Sequence, residues 1–63
     1  MLELMIELWK ESDGSSRYLW SVWEGGSRIG MGRGARTADA AEAEGTEWCR
    51  NTASRAPDRI TRL

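Results

Sequence analysis

The chain has 63 residues, which leaves room for one small domain whose core yields only about 3–5 kcal/mol of net stability. Nine basic and ten acidic residues give a net charge of −1, so no general attraction to nucleic acid or membrane is expected. A single cysteine excludes an intrachain disulfide and favours a reducing compartment. The apolar N-terminus carries two glutamates, unlike a signal peptide or a membrane span. We therefore expect a cytoplasmic protein.

The first predicted element is a strand over residues 1–9. Aliphatic residues occupy every second position, and this favours a strand over the helix that the same segment could form. Met5 and Trp9 fall on the opposite face, together with Glu3 and Glu7. The alternating aliphatic set is Leu2, Leu4, Ile6 and Leu8.

A hairpin is predicted next. Residues 11–16 have loop composition, with a turn suited to Asp13-Gly14, and residues 17–24 are rich in aromatic residues typical of strands. Gly25-Gly26 can adopt the positive φ angles of a tight hairpin turn, so a third strand should return over residues 27–31.

The hydrophobic period changes after residue 36 and predicts one helix from Ala38 to about Arg50. Thr37 or Asp39 can cap its N-terminus. Gly45 lowers helix propensity, so we interpret it as a site where the helix approaches the sheet closely. The predicted fold class is α+β, a three-stranded antiparallel sheet packed on one face by a single C-terminal helix. The domain spans residues 1–55, and 56–63 form a tail whose order is left open.

One helix can cover only one face of such a sheet, so the other face should face solvent. We expect the covered face to hold the apolar residues Leu4, Ile6, Leu8, Tyr18, Trp20, Val22, Ile29 and Met31. The uncovered face receives a candidate partner-binding set: Met5, Trp9, Leu19 and Trp23. Apolar anchors among charges are typical of an interface, for a foreign protein or for a homodimer. The alternative is that Trp9 and Trp23 pack on each other and stabilise a bare sheet.

The residue types argue against catalysis. The chain has no histidine, the commonest general base near neutral pH, and Cys49 lies on the inner stripe of the predicted helix. No metal-ligand spacing and no phosphate-binding motif is present. We expect no enzymatic activity, no catalytic residues, no cofactor and no metal.

Two charged segments are candidates for recognition. Four acids on the helix could mimic DNA phosphates, although an ordinary solvated helix face explains them as well: Asp39, Glu42, Glu44 and Glu47. Arg28, Arg33 and Arg36 are interspersed with glycines and suit nucleic-acid binding, or they simply keep a hairpin exit soluble. Nucleic acid is the less favoured partner.

The run RYLWSVWE-GG-SRIGMG followed by T-x-D-A-A-E-A-E resembles small bacterial and phage families with a three-stranded meander and one helix. It is similar to the HicB-type antitoxin half-domain, without that family's final strand and DNA-binding segment. It also resembles small phage-encoded anti-CRISPR proteins in size, format and helix acids. The latter resemblance implies a stoichiometric inhibitor that docks on a CRISPR effector subunit and blocks DNA entry. Since it rests on format, it assigns no residue role.

Overall fold

The computed structural model describes all 63 residues. It contains four strands and one helix in the order β1 (Leu2–Lys10), β2 (Ser16–Glu24), β3 (Ser27–Met31), α1 (Ala38–Thr52) and β4 (Arg59–Arg62). The strands form one mixed sheet in the order β3-β2-β1-β4. The α+β class, the antiparallel meander of β1 to β3 and the single packed helix are confirmed. The number of strands was wrong, because β4 adds to the sheet in parallel with β1.

β4 forms from the tail that the sequence left undecided. The Asp58 amide donates to the Leu2 carbonyl at 2.7 Å, and the Leu63 amide donates to the Ile6 carbonyl at 2.8 Å. The Asp58 carboxylate also accepts from the Leu2 amide at 2.7 Å, so both ends of β4 are fixed to β1. A four-residue strand carries too short a pattern to be recognised by itself. The expectation of no strand after the helix is therefore corrected.

The core lies between α1 and the two central strands. Its fully or nearly fully buried members are Leu2, Leu4, Ile6, Trp20, Val22, Ala41 and Cys49. Gly45 allows the close approach expected of it, because a Cβ there would lie 3.1 Å from Leu4 Cδ2 and nearer still to Cδ1. The rings of Trp20 and Trp48 pack in this layer with centroids 6.1 Å apart.

The placement of Ile29 and Met31 on the covered face was wrong. A bulge interrupts the pairing of β2 with β3 between Val22 and Trp23, and Met31 then lies opposite Ser21. Gly30 is the β3 residue that faces the helix, and a Cβ there would overlap the ring of Trp48. Ile29 is the extra residue of the bulge and lies with Arg28 opposite Trp23, so both Ile29 and Met31 belong to the uncovered face, with 45% and 54% of their surface exposed.

Local chemistry fixes both ends of α1. The Ala40 amide donates to Thr37 Oγ1 at 3.0 Å, so Thr37 is the N-cap and Asp39 lies inside the first turn. At the other end, Ser54 has a φ of 59°, the left-handed conformation that usually follows a helix and favours glycine. The helix therefore stops well before Pro57.

Candidate recognition surfaces

The uncovered sheet face is organised in rows by the strand register. Residues that pair across antiparallel strands share a face, so Trp23 lies beside Glu3, Met5 beside Ser21, Leu19 beside Glu7, and Trp9 beside Arg17. The predicted set of four apolar residues thus lies on one face. With Ile29 and Met31, which the sequence placed on the other side, that face presents six large apolar side chains.

The two tryptophans of this face do not pack on each other. Their register positions are six residues apart along β1, which corresponds to roughly 20 Å. The alternative expectation, that Trp9 and Trp23 pack on each other and so stabilise the uncovered face, is therefore wrong. Trp9 is 54% exposed, whereas Trp23 is half-buried and its Nε1 donates to Ser21 Oγ at 2.9 Å. That bond holds the Trp23 indole in one orientation on the surface.

A shallow groove of about 400 Å³ lies at the Trp23 end of the face. Its wall includes Met5 and Trp23 from the central strands, and its rim includes Met1, Glu3 and the hairpin glycines Gly25 and Gly26. Because neither glycine carries a side chain, the Trp23 ring is open to a partner from the hairpin side.

Most charges on this face are neutralised within the chain. Glu3 binds Arg59 at 2.8 Å and accepts from the Thr61 hydroxyl at 3.0 Å, and these contacts lower the pKa of Glu3, the Thr61 bond most of all. Arg17 lies 3.6 Å from Glu11. Arg59 and Thr61 belong to β4, which lies outside the domain of residues 1–55 predicted from the sequence, so these contacts were not expected.

Two charges of the face have no intramolecular partner. Glu7 and Arg28 form no ion pair and no side-chain hydrogen bond. Glu7 lies on β1 beside Leu19, and Arg28 lies on β3 beside Trp23. The two unpaired charges are therefore of opposite sign and lie on opposite sides of β2, Arg28 on β3 and Glu7 on β1 between Met5 and Trp9.

The acidic helix residues are less available than the sequence suggested. Arg62 from β4 binds Asp39 at 2.8 Å and Glu42 at 3.0 Å, and these contacts raise the pKa of Arg62. Glu44 does not point clear of the sheet, since its Oε1 accepts from Trp20 Nε1 at 3.4 Å. Only Glu47 of the four is without a partner. The structure thus breaks the expected row of free carboxylates.

The candidate arginines are all exposed and form no ion pair. Arg28 belongs to the uncovered sheet face, while Arg33 and Arg36 lie in the connector between β3 and α1. That connector is held to β2 by paired backbone bonds of 2.8 Å between Tyr18 and Ala35. The three arginines therefore belong to the segment, β3 and the connector, that forms one edge of the sheet.

The one cysteine of the chain lies in the core. Cys49 is buried among core residues, and desolvation raises the pKa of its thiol, which favours the unreactive form. No cluster of three or more potential metal-ligating side chains is present. The fifteen-residue helix α1, which carries several charges, is unsuited to crossing a bilayer.

No family model, no curated protein and no solved structure matches this chain.

Proposed function

We propose that the chain is a non-enzymatic protein-binding module whose contact surface is the uncovered face of the sheet. The observation that supports this most is the group of six large apolar side chains on that face, remote from the helix: Met5, Trp9, Leu19, Trp23, Ile29 and Met31. The face of an antiparallel sheet that is exposed to solvent ordinarily carries polar side chains.

The arrangement has the composition of a protein interface. Tryptophan and methionine are enriched in interface cores, and charged residues usually form the rim. Here Trp23 is held by its bond to Ser21, so little side-chain entropy is lost when a partner packs on it. Glu3 and Arg59 neutralise each other beside it, which lowers the cost of removing this region from water.

The sheet face is a better candidate than the acidic helix face. Asp39 and Glu42 already bind Arg62, so a partner arginine would have to displace an existing ion pair. The role of an anti-CRISPR-type inhibitor is a prediction from resemblance alone. If the chain is such an inhibitor, we propose that it docks on the effector through Trp9 and Trp23.

A pull-down with matched variants tests this proposal. The tagged chain is incubated with lysate of cells that encode it, beside Trp23→Ser on the sheet face and Glu47→Lys on the helix face. We expect protein retained by the wild type to be lost with Trp23→Ser and kept with Glu47→Lys. Circular dichroism establishes that both variants are folded. Retention unchanged by Trp23→Ser would contradict the proposal.

A second candidate function is nucleic-acid binding along the arginine edge. It is favoured by the absence of ion pairs at Arg28, Arg33 and Arg36, with Trp23 beside Arg28 to stack on a base. Binding through phosphates would be strongly salt-dependent. A gel shift with single-stranded DNA or RNA at low salt, lost when the three arginines are replaced by alanine, is the expected result. No shift at low salt would exclude it.

A further inference from the structure

We infer that the uncovered sheet face binds a second copy of this chain, and that Glu7 of each copy pairs with Arg28 of the other across a two-fold axis. This inference rests on the proposed function, because it names the partner of the same surface. It is carried by the positions of the two unpaired charges, by the residue that lies between them, and by the size of the face.

The strand register places four rows of residues on the face. The first row contains Arg28, Trp23 and Glu3, and the second contains Met31, Ser21 and Met5. The third row contains Leu19 and Glu7, and the fourth contains Arg17 and Trp9. Arg28 is on β3 in the first row and Glu7 is on β1 in the third, so Ser21, on β2 in the second row, lies halfway between them.

Consider a two-fold axis that lies between two such faces, passes over Ser21 and runs perpendicular to the line from Arg28 to Glu7. This axis exchanges the positions of Arg28 and Glu7. Glu7 of one copy then meets Arg28 of the other, and the same contact recurs on the far side of the axis. With ideal sheet spacings this operation also places Trp23 over Met5 and Leu19 over Met31 of the other copy. Ser21 is small and only 9% exposed, and the Trp23 indole that donates to its Oγ at 2.9 Å therefore lies close to the axis.

The charge pattern fits a second copy better than it fits a nucleic acid. A nucleic-acid-binding sheet should be uniformly basic around its aromatic residues. Here Glu3 lies beside Trp23, and Glu7 lies beside Leu19 in the same apolar group. One unpaired charge of each sign makes the face complementary to itself, as an isologous interface must be.

The size of the face sets how strongly two copies associate. The axis is diagonal to the strands, so the two sheets cross steeply and share a patch about four strands, or roughly 20 Å, wide in each direction. Packing this patch removes on the order of 800 Å² of surface, the size of a weak and transient interface, so we expect a weak dimer. Only 9 of 63 residues are buried in one copy, so joining two open faces would add a second core layer.

Sedimentation equilibrium of the purified chain with charge-reversed variants tests this inference. Glu7→Arg and Arg28→Glu each bring like charges together twice, and each should weaken the dimer by about tenfold or more. An equimolar mixture of the two variants restores opposite charges at both contacts, so it should form a heterodimer with nearly wild-type affinity. The control Glu47→Arg, on the helix face, should leave the dimer unchanged.

Three outcomes would overturn the second-copy inference: a wild type that stays monomeric at hundreds of micromolar, single reversals that dimerise as tightly as the wild type, or a mixture no tighter than either variant alone. These outcomes are distinct from failure of the proposed function. If the wild type is monomeric but retains a lysate protein that the Trp23→Ser variant does not, the uncovered face is still a binding surface. Only the second copy is then excluded as its partner.

Discussion

Gly45 shows how one missing side chain positions the helix. A Cβ at this position would press on Leu4, which is fully buried and cannot move aside. Alanine favours the helical state by about 1 kcal/mol over glycine, whereas overpacking a core costs about 1–3 kcal/mol. We expect Gly45→Ala to lower the free energy of unfolding by up to about 2 kcal/mol in urea denaturation.

Ala43→Gly is the matched control for that substitution. Ala43 is in the same helix but exposed, so only intrinsic propensity acts there, and glycine should cost about 1 kcal/mol. Glycine should therefore give the more stable protein at position 45, and alanine the more stable protein at position 43. A Gly45→Ala chain more stable than the wild type would contradict the close approach of α1 to β1.

Ser54 is the one non-glycine residue in the left-handed region, with a φ of 59°. Glycine adopts this conformation without the steric cost that a Cβ imposes. Ser54→Gly should therefore stabilise the fold by about 0.5–1 kcal/mol, measured as a higher urea midpoint with an unchanged slope. A lower midpoint would mean that the serine side chain contributes more than its backbone costs.

At the scale of elements, β4 depends on carboxylates that are held ionised. A hydrogen bond from the Leu2 amide lowers the pKa of Asp58 most, and a hydrogen bond from Arg55 lowers it further. Hydrogen bonds from Thr61 and Arg59 lower the pKa of Glu3. A lowered pKa in the folded state gives stability that is complete above the unfolded values, near 3.8 and 4.5. That stability is lost as pH falls through the folded values.

Acidification should therefore release β4 before the rest of the sheet. In two-dimensional NMR spectra, the amide signals of Ile60 and Thr61 should move towards random-coil positions as pH falls below about 4.5, while the Trp20 indole signal stays native. Asp58→Asn should raise the pH at which this happens. Native β4 signals down to about pH 2.5 would refute this dependence.

The elements differ in how far their own residues determine them, without contacts to distant parts of the chain. β1 alternates over its whole length, the Gly25-Gly26 turn fixes β3, and Thr37 with the stripe through Ala41 and Gly45 fixes α1, so these were predictable from sequence. β4 is not, because its four residues are stabilised by β1 backbone groups rather than by a pattern of their own.

The candidate site divides in the same way. Period-two alternation placed Met5, Trp9, Leu19 and Trp23 on one face. The bulge after Val22 shifts β3 by one residue and moves Ile29 and Met31 to that face, a change that plain alternation cannot indicate. Gly30 is the sequence feature that indicates this bulge. A glycine inside a strand often marks a bulge or a close approach, and here its two large apolar neighbours lie on the face opposite the packed layer.

For the whole molecule, the central feature is the division of its four tryptophans between two sides of one sheet. Trp20 of β2 and Trp48 of α1 pack together between the sheet and the helix, while Trp9 and Trp23 lie on the uncovered face. The chain thus has one side that makes the core and one side that is apolar without a covering element. We expect the second side to be where binding occurs, whichever protein is the partner.

Fluorine NMR of the chain labelled with 5-fluorotryptophan reads both sides at once. The Trp23 signal should shift as the purified chain is concentrated from micromolar to millimolar, and both the Trp9 and Trp23 signals should shift as the protein recovered by pull-down is added. The Trp20 and Trp48 signals should stay in place in both titrations. Movement of Trp20 and Trp48 alone, or no movement of Trp9 and Trp23 in either titration, would contradict binding through the uncovered face.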